Sequence, residues 1–144
     1  MNKFLAWLPA SLMIIGLAVY KPVKEAMKAN MVDKSVSISV FRNADYNADA
    51  YKSTLASVYV TVEKINTKGE SSILWEKNFD AKEITKYPLK EKALEQNISV
   101  KNINEHKERI EVKYVLIYNS KGTELQMQDE TVITGRKTNV DIRI

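Results

Sequence analysis

The stretch TLASVYVTVEKI, residues 54–65, alternates apolar and polar side chains at every second position. Val58, Val60 and Val62 fall on one face of an extended chain, and Tyr59 falls on the other. A period of two in a segment rich in β-branched residues is typical of a strand with one buried face. The stretch therefore predicts a β-strand that packs its valine face against a core.

The next four residues, NTKG at 66–69, predict a tight turn, and NSKG at 119–122 repeats the same chemistry. An asparagine side chain can begin a turn, and glycine adopts a positive φ at no steric cost. Each stretch is therefore predicted to connect two antiparallel strands in a hairpin.

Alternation with a period of two recurs further along the chain, which gives about seven strands in all. The stretch 72–79 places Ile73, Trp75 and Phe79 on one face, and Trp75 is a candidate core tryptophan. The other alternating stretches are 35–42, 97–103, 109–119, 123–128 and 138–144.

Seven alternating strands without a βαβ rhythm predict an all-β, antiparallel β-sandwich over residues 35–144. The architecture resembles that of immunoglobulin and fibronectin type III domains. The chain has no cysteine, which excludes a true antibody-type domain with its disulfide. Residues 81–96 predict a long crossover between the two sheets, in which Pro88 opens a short helix and Leu89 and Leu94 pack inward.

Residues 1–20 predict a signal anchor or a signal peptide that forms an N-terminal hydrophobic helix. Phe4–Tyr20 carries no charge, and its length of roughly 26 Å as a helix is at the short end of a membrane span. Gly16 and Ala18 fit the small-residue pattern of signal peptidase, with cleavage after Ala18. A buried helix of a soluble domain is disfavoured because the stretch is apolar all round.

Residues 21–34 predict a connector between this leader and the sandwich. Val23, Met27 and Met31 are spaced by four residues, which favours a helical stalk or linker and leaves open a basic helix on an anionic membrane surface. The lysines after the leader favour a cytoplasmic domain. A hydrophobic leader before a small β-domain is nevertheless typical of export, and the composition looks bacterial. We therefore expect an inner-membrane anchor facing the periplasm, or a periplasmic or secreted protein if the leader is cleaved.

The composition narrows the possible chemistry. The absence of cysteine removes thiolate metal sites and cysteine nucleophiles, and His106 is the only histidine. No glycine-rich nucleotide loop occurs, and the dispersed lysines do not predict nucleic-acid binding. Weak candidates are Asp45 and Asp49 for calcium, and scattered carboxylates for hydrolysis, namely Asp80, Glu83, Asp129 and Glu130. We accordingly predict no catalytic, cofactor-binding or metal-binding residue, no cofactor and no enzyme activity.

Four apolar side chains are predicted to lie opposite the buried faces of their strands: Phe41, Tyr59, Val115 and Ile117. Either another protein or the crossover at 81–96 would cover them. The last alternating stretch, 138–144, is a candidate edge strand.

The resulting hypothesis is a membrane-anchored, extracytoplasmic β-sandwich that acts as a non-enzymatic interaction or accessory subunit of an envelope complex. It would bind protein partners through an exposed sheet face or an edge strand, and the membrane through Phe4–Tyr20. The alternative is a cleaved, soluble exported domain that binds a small apolar or saccharide ligand. A third hypothesis is an enzyme that uses carboxylates alone.

Overall fold

A computed structural model of the chain describes residues 31–144. The predicted leader, residues 1–20, and the connector up to residue 30 lie outside this range. The described chain forms one short helix, α1 (Asp49–Lys52), two 3₁₀ turns (Ile84–Lys86 and Lys90–Lys92) and seven strands. The strands are β1 (Met31–Phe41), β2 (Thr54–Asn66), β3 (Ser71–Glu83), β4 (Leu94–Asn104), β5 (Glu108–Ser120), β6 (Thr123–Ile133) and β7 (Lys137–Arg143).

The strands form two sheets, which confirms the predicted all-β sandwich at the level of architecture. One sheet has four antiparallel strands in the order β3-β2-β5-β6, and the other has three in the order β4-β1-β7. The prediction of a wholly antiparallel fold is wrong at one pair, because β1 and β7 run parallel. No hairpin connects these two strands, since β7 is reached from β6 in the other sheet, and a parallel pair requires such a crossover.

The core lies between the two sheets and is built from the predicted apolar faces. On β2, Val58, Val60 and Val62 are fully buried. Burying an aliphatic side chain of this size contributes about 1.5–3 kcal/mol, so these three valines stabilise the fold by packing into the core. β1, β4, β5 and β7 add the buried residues Val36, Ile38, Val40, Ile98, Val100, Ile110, Val112, Leu116, Val140 and Ile142.

Both predicted hairpins are present. The Asn66 side-chain oxygen accepts hydrogen bonds from the backbone N–H groups of Lys68 (2.9 Å) and Glu70 (3.0 Å), and Gly69 has φ of 82°. Gly122 has the same φ of 82° in the β5–β6 turn. The shared turn chemistry, and not a repeated unit, accounts for the similar sequences.

A bulge in β3 changes the predicted face of Ile73. Val62 pairs with Trp75, but the next residue of β2, Glu63, pairs with Ile73, so Leu74 is the extra residue. A shift of one residue moves a side chain to the opposite face of the sheet. Ile73 is therefore 57% exposed, whereas Trp75 packs partly buried against the core.

The connection from β3 to β4 crosses between the sheets, as predicted, and covers one of the four apolar outer residues. Phe41 is buried, the Lys90 ammonium lies 5.4 Å from its ring centroid, and the Arg42 N–H donates to the Pro88 carbonyl (2.9 Å). The prediction that Leu89 packs inward is wrong, because its side chain is exposed, whereas Leu94 packs partly buried against the core as predicted. No helix within residues 31–144 is long and apolar enough to cross a bilayer.

Candidate functional site

The outer face of the four-stranded sheet carries a shallow depression of about 530 Å³, which we call the outer depression. It lies over β2, β3, β5 and β6, and the register places Tyr59, Val115 and Gln128 side by side across three strands. Its lining includes Tyr59, Glu63, Ile73, Lys113, Val115 and Gln128.

An ionic network forms one side of the outer depression. Glu63 and Glu111 are directly opposed on β2 and β5, and the Lys113 ammonium lies 2.8 Å from the first carboxylate and 3.6 Å from the second. Arg109 Nε also lies 2.6 Å from Glu111. The Ser71 hydroxyl donates a further hydrogen bond to Glu63 (2.6 Å). The Lys113 ammonium therefore lies within 4 Å of both carboxylates and offsets the repulsion between them.

These contacts determine the protonation of the network. The hydrogen bonds from Lys113 and then Ser71 lower the pKa of Glu63, although partial burial opposes them. The hydrogen bond to Glu63 raises the pKa of Lys113. Both groups are therefore charged at neutral pH, and neither has the pKa near the working pH that favours a general acid or base.

Tyr59 on β2 lines the depression and is hydrogen-bonded to a side chain of β3. The residue is 39% exposed, and its hydroxyl donates a hydrogen bond to the Glu76 carboxylate. That hydrogen bond raises the pKa of Tyr59. A fixed tyrosine that pairs with Val115 and lines the same depression as Ile73 offers an apolar contact surface with a polar rim.

A second surface lies where β6 extends beyond the three-stranded sheet, and we call it the open side. Leu125 and Met127 point to the core side of β6, as their partners on β5 do, yet they are 59% and 52% exposed. The open side borders a cavity of about 430 Å³ whose lining includes Tyr46, Tyr51, Tyr118, Ile84, Leu125 and Met127. The other sheet has three strands against four, and the exposure of these two side chains shows that it does not cover this part of β6.

The loop between β1 and β2 closes one end of the open side. The rings of Tyr46 and Tyr51 lie 5.1 Å apart, and the Tyr46 hydroxyl donates to the Ile144 carbonyl (2.5 Å). Burial raises the pKa of Tyr46 and also that of Tyr118. This loop therefore holds two aromatic rings beside the end of β7.

Two residues along β6 from Met127, Asp129 is directly opposed to Tyr114 on β5, and both residues also line the outer depression. The Tyr114 hydroxyl donates to the Asp129 carboxylate (3.0 Å). Burial, together with this hydrogen bond, raises the pKa of Tyr114 to about 12, and the nearby positive charge of Arg143 opposes the rise. Tyr114 therefore keeps its proton at neutral pH and remains a donor to Asp129.

Of the residues considered for chemistry, only Asp129 and Glu130 are brought together in the described chain: both line the outer depression, and the Glu130 N–H donates to the Asp129 carboxylate (2.8 Å). Asp45 contacts Arg42 (3.3 Å), Asp49 contacts Lys52 (2.6 Å) and Glu83 contacts Lys86 (3.1 Å). His106 is exposed in the β4–β5 turn. Within residues 31–144, no group of three or more histidine or carboxylate side chains is arranged to hold a metal ion.

Sequence reasoning missed the Glu63–Glu111–Lys113 network and the open side. The alternation placed Glu63 on the outer face of β2, but only the pairing register shows that Glu111 lies opposite it. Leu125 and Met127 were part of a predicted strand, and nothing in a single sequence reveals how many strands lie opposite that strand.

The chain matches no protein-family model, no curated protein sequence and no solved structure. Its function must therefore be inferred from the geometry of these two surfaces.

Proposed function

We propose that the chain is a non-enzymatic interaction or accessory subunit of a cell-envelope complex. In this proposal Phe4–Tyr20 anchors it in the inner membrane, and the β-sandwich faces the periplasm and contacts a protein partner. The observation that carries the proposal is the open side, where Leu125 and Met127 remain exposed on the core side of β6.

An apolar surface of this kind favours a binding partner. Burial of apolar side chains is worth about 25 cal/mol for each Å² removed from water, and large contiguous apolar patches on monomers mark interaction sites or aggregation liabilities. β7 lies at an edge of its sheet in the described part of the chain, and such an edge is a template for pairing with another chain. A partner that covers the open side would satisfy both features.

The absence of enzyme activity is part of the same proposal. In the network of the outer depression, the Glu63 carboxylate is hydrogen-bonded to Lys113 and Ser71, and the Glu111 carboxylate is hydrogen-bonded to Arg109. A carboxylate-only hydrolase would need one carboxyl group with a raised pKa, whereas the pKa of Glu63 is lowered. This electrostatic arrangement supports a structural role for the network.

The membrane assignment is tested by the intact mass of protein isolated from native membranes and from the soluble exported fraction. The proposal predicts the full mass of 16.5 kDa in membranes. A soluble species that lacks residues 1–18 would overturn the anchor and favour the alternative below.

The protein contact is tested by size measurement of the complex after extraction in mild detergent. Met127→Asp places a charge on the open side and should release the chain from its complex. Gln126→Asp is the matched control, because Gln126 is the neighbouring exposed residue on the opposite face of β6. Equal effects of the two variants, or a wild-type chain that migrates alone, would contradict the proposal.

The alternative function is a cleaved, soluble exported domain that binds a small apolar or saccharide ligand. The outer depression favours it, because about 530 Å³ lies in the range of small-molecule sites. Tyr59 offers an apolar face, and Gln128 and Lys113 offer hydrogen-bond donors. A ligand screen by thermal shift, repeated with Tyr59→Ala, tests this alternative; a hit whose binding is unaffected by the substitution would exclude the depression.

We also propose that the sandwich is related to the immunoglobulin-like architecture. The order β3-β2-β5-β6, with two hairpins joined through β2 and β5, corresponds to the C′-C-F-G arrangement of variable-type domains. Two features depart from that architecture: Trp75 lies on β3, and β7 pairs in parallel with β1. An experimental structure that gives the handedness of each crossover tests the relation.

A further inference from the structure

We propose that the free edge of β7 accepts an extended strand of a protein partner, and that this strand alternates apolar with acidic residues. The inference rests on the proposed function and specifies the site and the chemistry of the partner. The partner strand would become the fourth strand of the three-stranded sheet and would cover the open side.

Among residues 31–144, the backbone of β7 has one occupied edge, against β1, and one free edge. The Ser35 N–H donates to the Arg136 carbonyl (2.7 Å), and the Ile144 N–H donates to the Phe41 carbonyl (2.9 Å), so both residues point toward β1. In a parallel ladder the N–H and C=O of one residue point to the same side, and successive residues alternate. The backbone groups of Asn139, Asp141 and Arg143 therefore point away from β1.

The open side lies opposite the position that a strand added beside β7 would occupy. β6 leads into β7 through only three residues, 134–136, so the two strands lie in facing sheets at the same side of the sandwich. A strand placed beside β7 would occupy the position opposite the uncovered part of β6. Facing sheets pack about 10 Å apart, so the inward side chains of that strand would contact Leu125 and Met127.

The charges along β7 indicate which residues the partner strand carries on its outward face. Arg136, Lys137 and Arg143 are exposed, and none of them forms an ion pair with a carboxylate of residues 31–144. Asp141, the acidic residue of β7, is already paired with Lys90 (2.8 Å). Opposite charges on adjacent strands are favourable and like charges are not. Outward-facing acidic residues on the partner therefore complement this edge, whereas basic residues oppose it.

The test uses the full chain in detergent and two capped nine-residue peptides. One peptide alternates valine with glutamate, and the other alternates valine with lysine. We expect saturable binding of the first peptide, and at least tenfold weaker binding of the second. No saturable binding of the glutamate peptide below about 1 mM, or equal binding of both peptides, would overturn the proposal.

Three variants locate the binding site. Asn139→Pro removes a free-edge N–H that does not bond to β1, and Met127→Asp charges the open side; each should weaken binding of the glutamate peptide at least tenfold. Lys101→Glu is the matched control, because it reverses a charge on β4 at the opposite edge of the sheet and should leave binding within twofold. Similar losses of peptide affinity in all three variants would contradict binding at the free edge of β7.

Amide hydrogen exchange tests the same site on the unmodified chain. It needs no substitution, so misfolding of a variant cannot account for its result. The glutamate peptide should slow exchange at Asn139, Asp141 and Arg143, and protection elsewhere without protection there would overturn the proposal. Self-association of the chain through β7, blocked by Asn139→Pro, would replace the partner strand with a second copy and overturn it as well. If the peptide fails while native membranes still yield a hetero-complex that Met127→Asp disrupts, this proposal fails and the proposed function stands.

Discussion

Met127 on β6 stands directly opposite Leu116 on β5, yet Leu116 is 5% exposed and Met127 is 52% exposed. Residues paired in an antiparallel ladder point to the same face, so both side chains point to the core side of the sheet. The three-stranded sheet covers β5 but not this part of β6. This difference between neighbours defines the open side.

Substitutions at this pair should differ sharply in their effect on stability. Leu116→Ala removes buried methyl groups and should lower the free energy of unfolding by about 2–5 kcal/mol. Met127→Ser changes a solvated side chain and should alter it by no more than about 0.5 kcal/mol. Urea denaturation of the two variants measures both values, and a loss above about 2 kcal/mol for Met127→Ser would mean that Met127 is buried in solution.

Backbone amides of β7 should exchange with solvent in an alternating pattern when no partner is bound. Val140 and Ile142 point toward β1 and should be protected, whereas Asn139, Asp141 and Arg143 should exchange quickly. Amide hydrogen exchange followed by NMR resolves the individual positions. Uniform protection along β7 would show that its outer edge is already paired within the chain.

Lys34 is expected to stabilise the fold although it is a charged residue. Its side chain is only 4% exposed, and its ammonium donates to the Ile133 carbonyl (3.1 Å) and lies 2.9 Å from a Glu105 carboxylate oxygen. Lys34→Met leaves a buried carbonyl without this donor, which should cost about 1–3 kcal/mol of unfolding free energy. Lys101→Met, at an exposed position, is the control for thermal unfolding; equal destabilisation would contradict the structural role.

Acid should weaken the ionic network of the outer depression. The pKa of Glu63 lies below its ordinary value of 4.5 because of hydrogen bonds from Lys113 and Ser71. Its ionised form therefore contributes stability above about pH 4.5, and that contribution is lost as the pH falls through the lower pKa of the folded state.

Denaturation at several pH values tests whether ionised Glu63 contributes to the free energy of unfolding. The free energy of unfolding of Glu63→Gln should fall less steeply below pH 4.5 than that of the unmodified protein. Glu124→Gln is the control, because Glu124 is exposed and forms no ion pair within residues 31–144. Parallel curves for Glu63→Gln and the unmodified protein would show that the network adds nothing to stability.

Local pattern predicted the strands well because alternation is a property of each strand by itself. Val58, Val60 and Val62 are buried as their spacing requires, and Gly69 and Gly122 adopt the positive φ that their turns need. These features depend on contacts between residues close in sequence or on one periodic face.

Features that depend on pairing between distant segments could not be predicted in the same way. The bulge that turns Ile73 outward arises from the register between β2 and β3, and Phe41 is buried because a distant crossover lies over it. The parallel β1–β7 pair joins segments about 100 residues apart. The same holds for both candidate surfaces, since Glu63 and Met127 acquire their environment only when the sheets assemble.

The most direct test of the central claim is photo-crosslinking in native cells, with a photoreactive residue at Met127 and, separately, at Gln126 of the full chain. We expect the Met127 position to form an adduct with a second, different protein, and the Gln126 position, on the opposite face of β6, to form none with that protein. An uncrosslinked monomer at Met127, an adduct with lipid alone, or the same adduct from both positions would contradict the account.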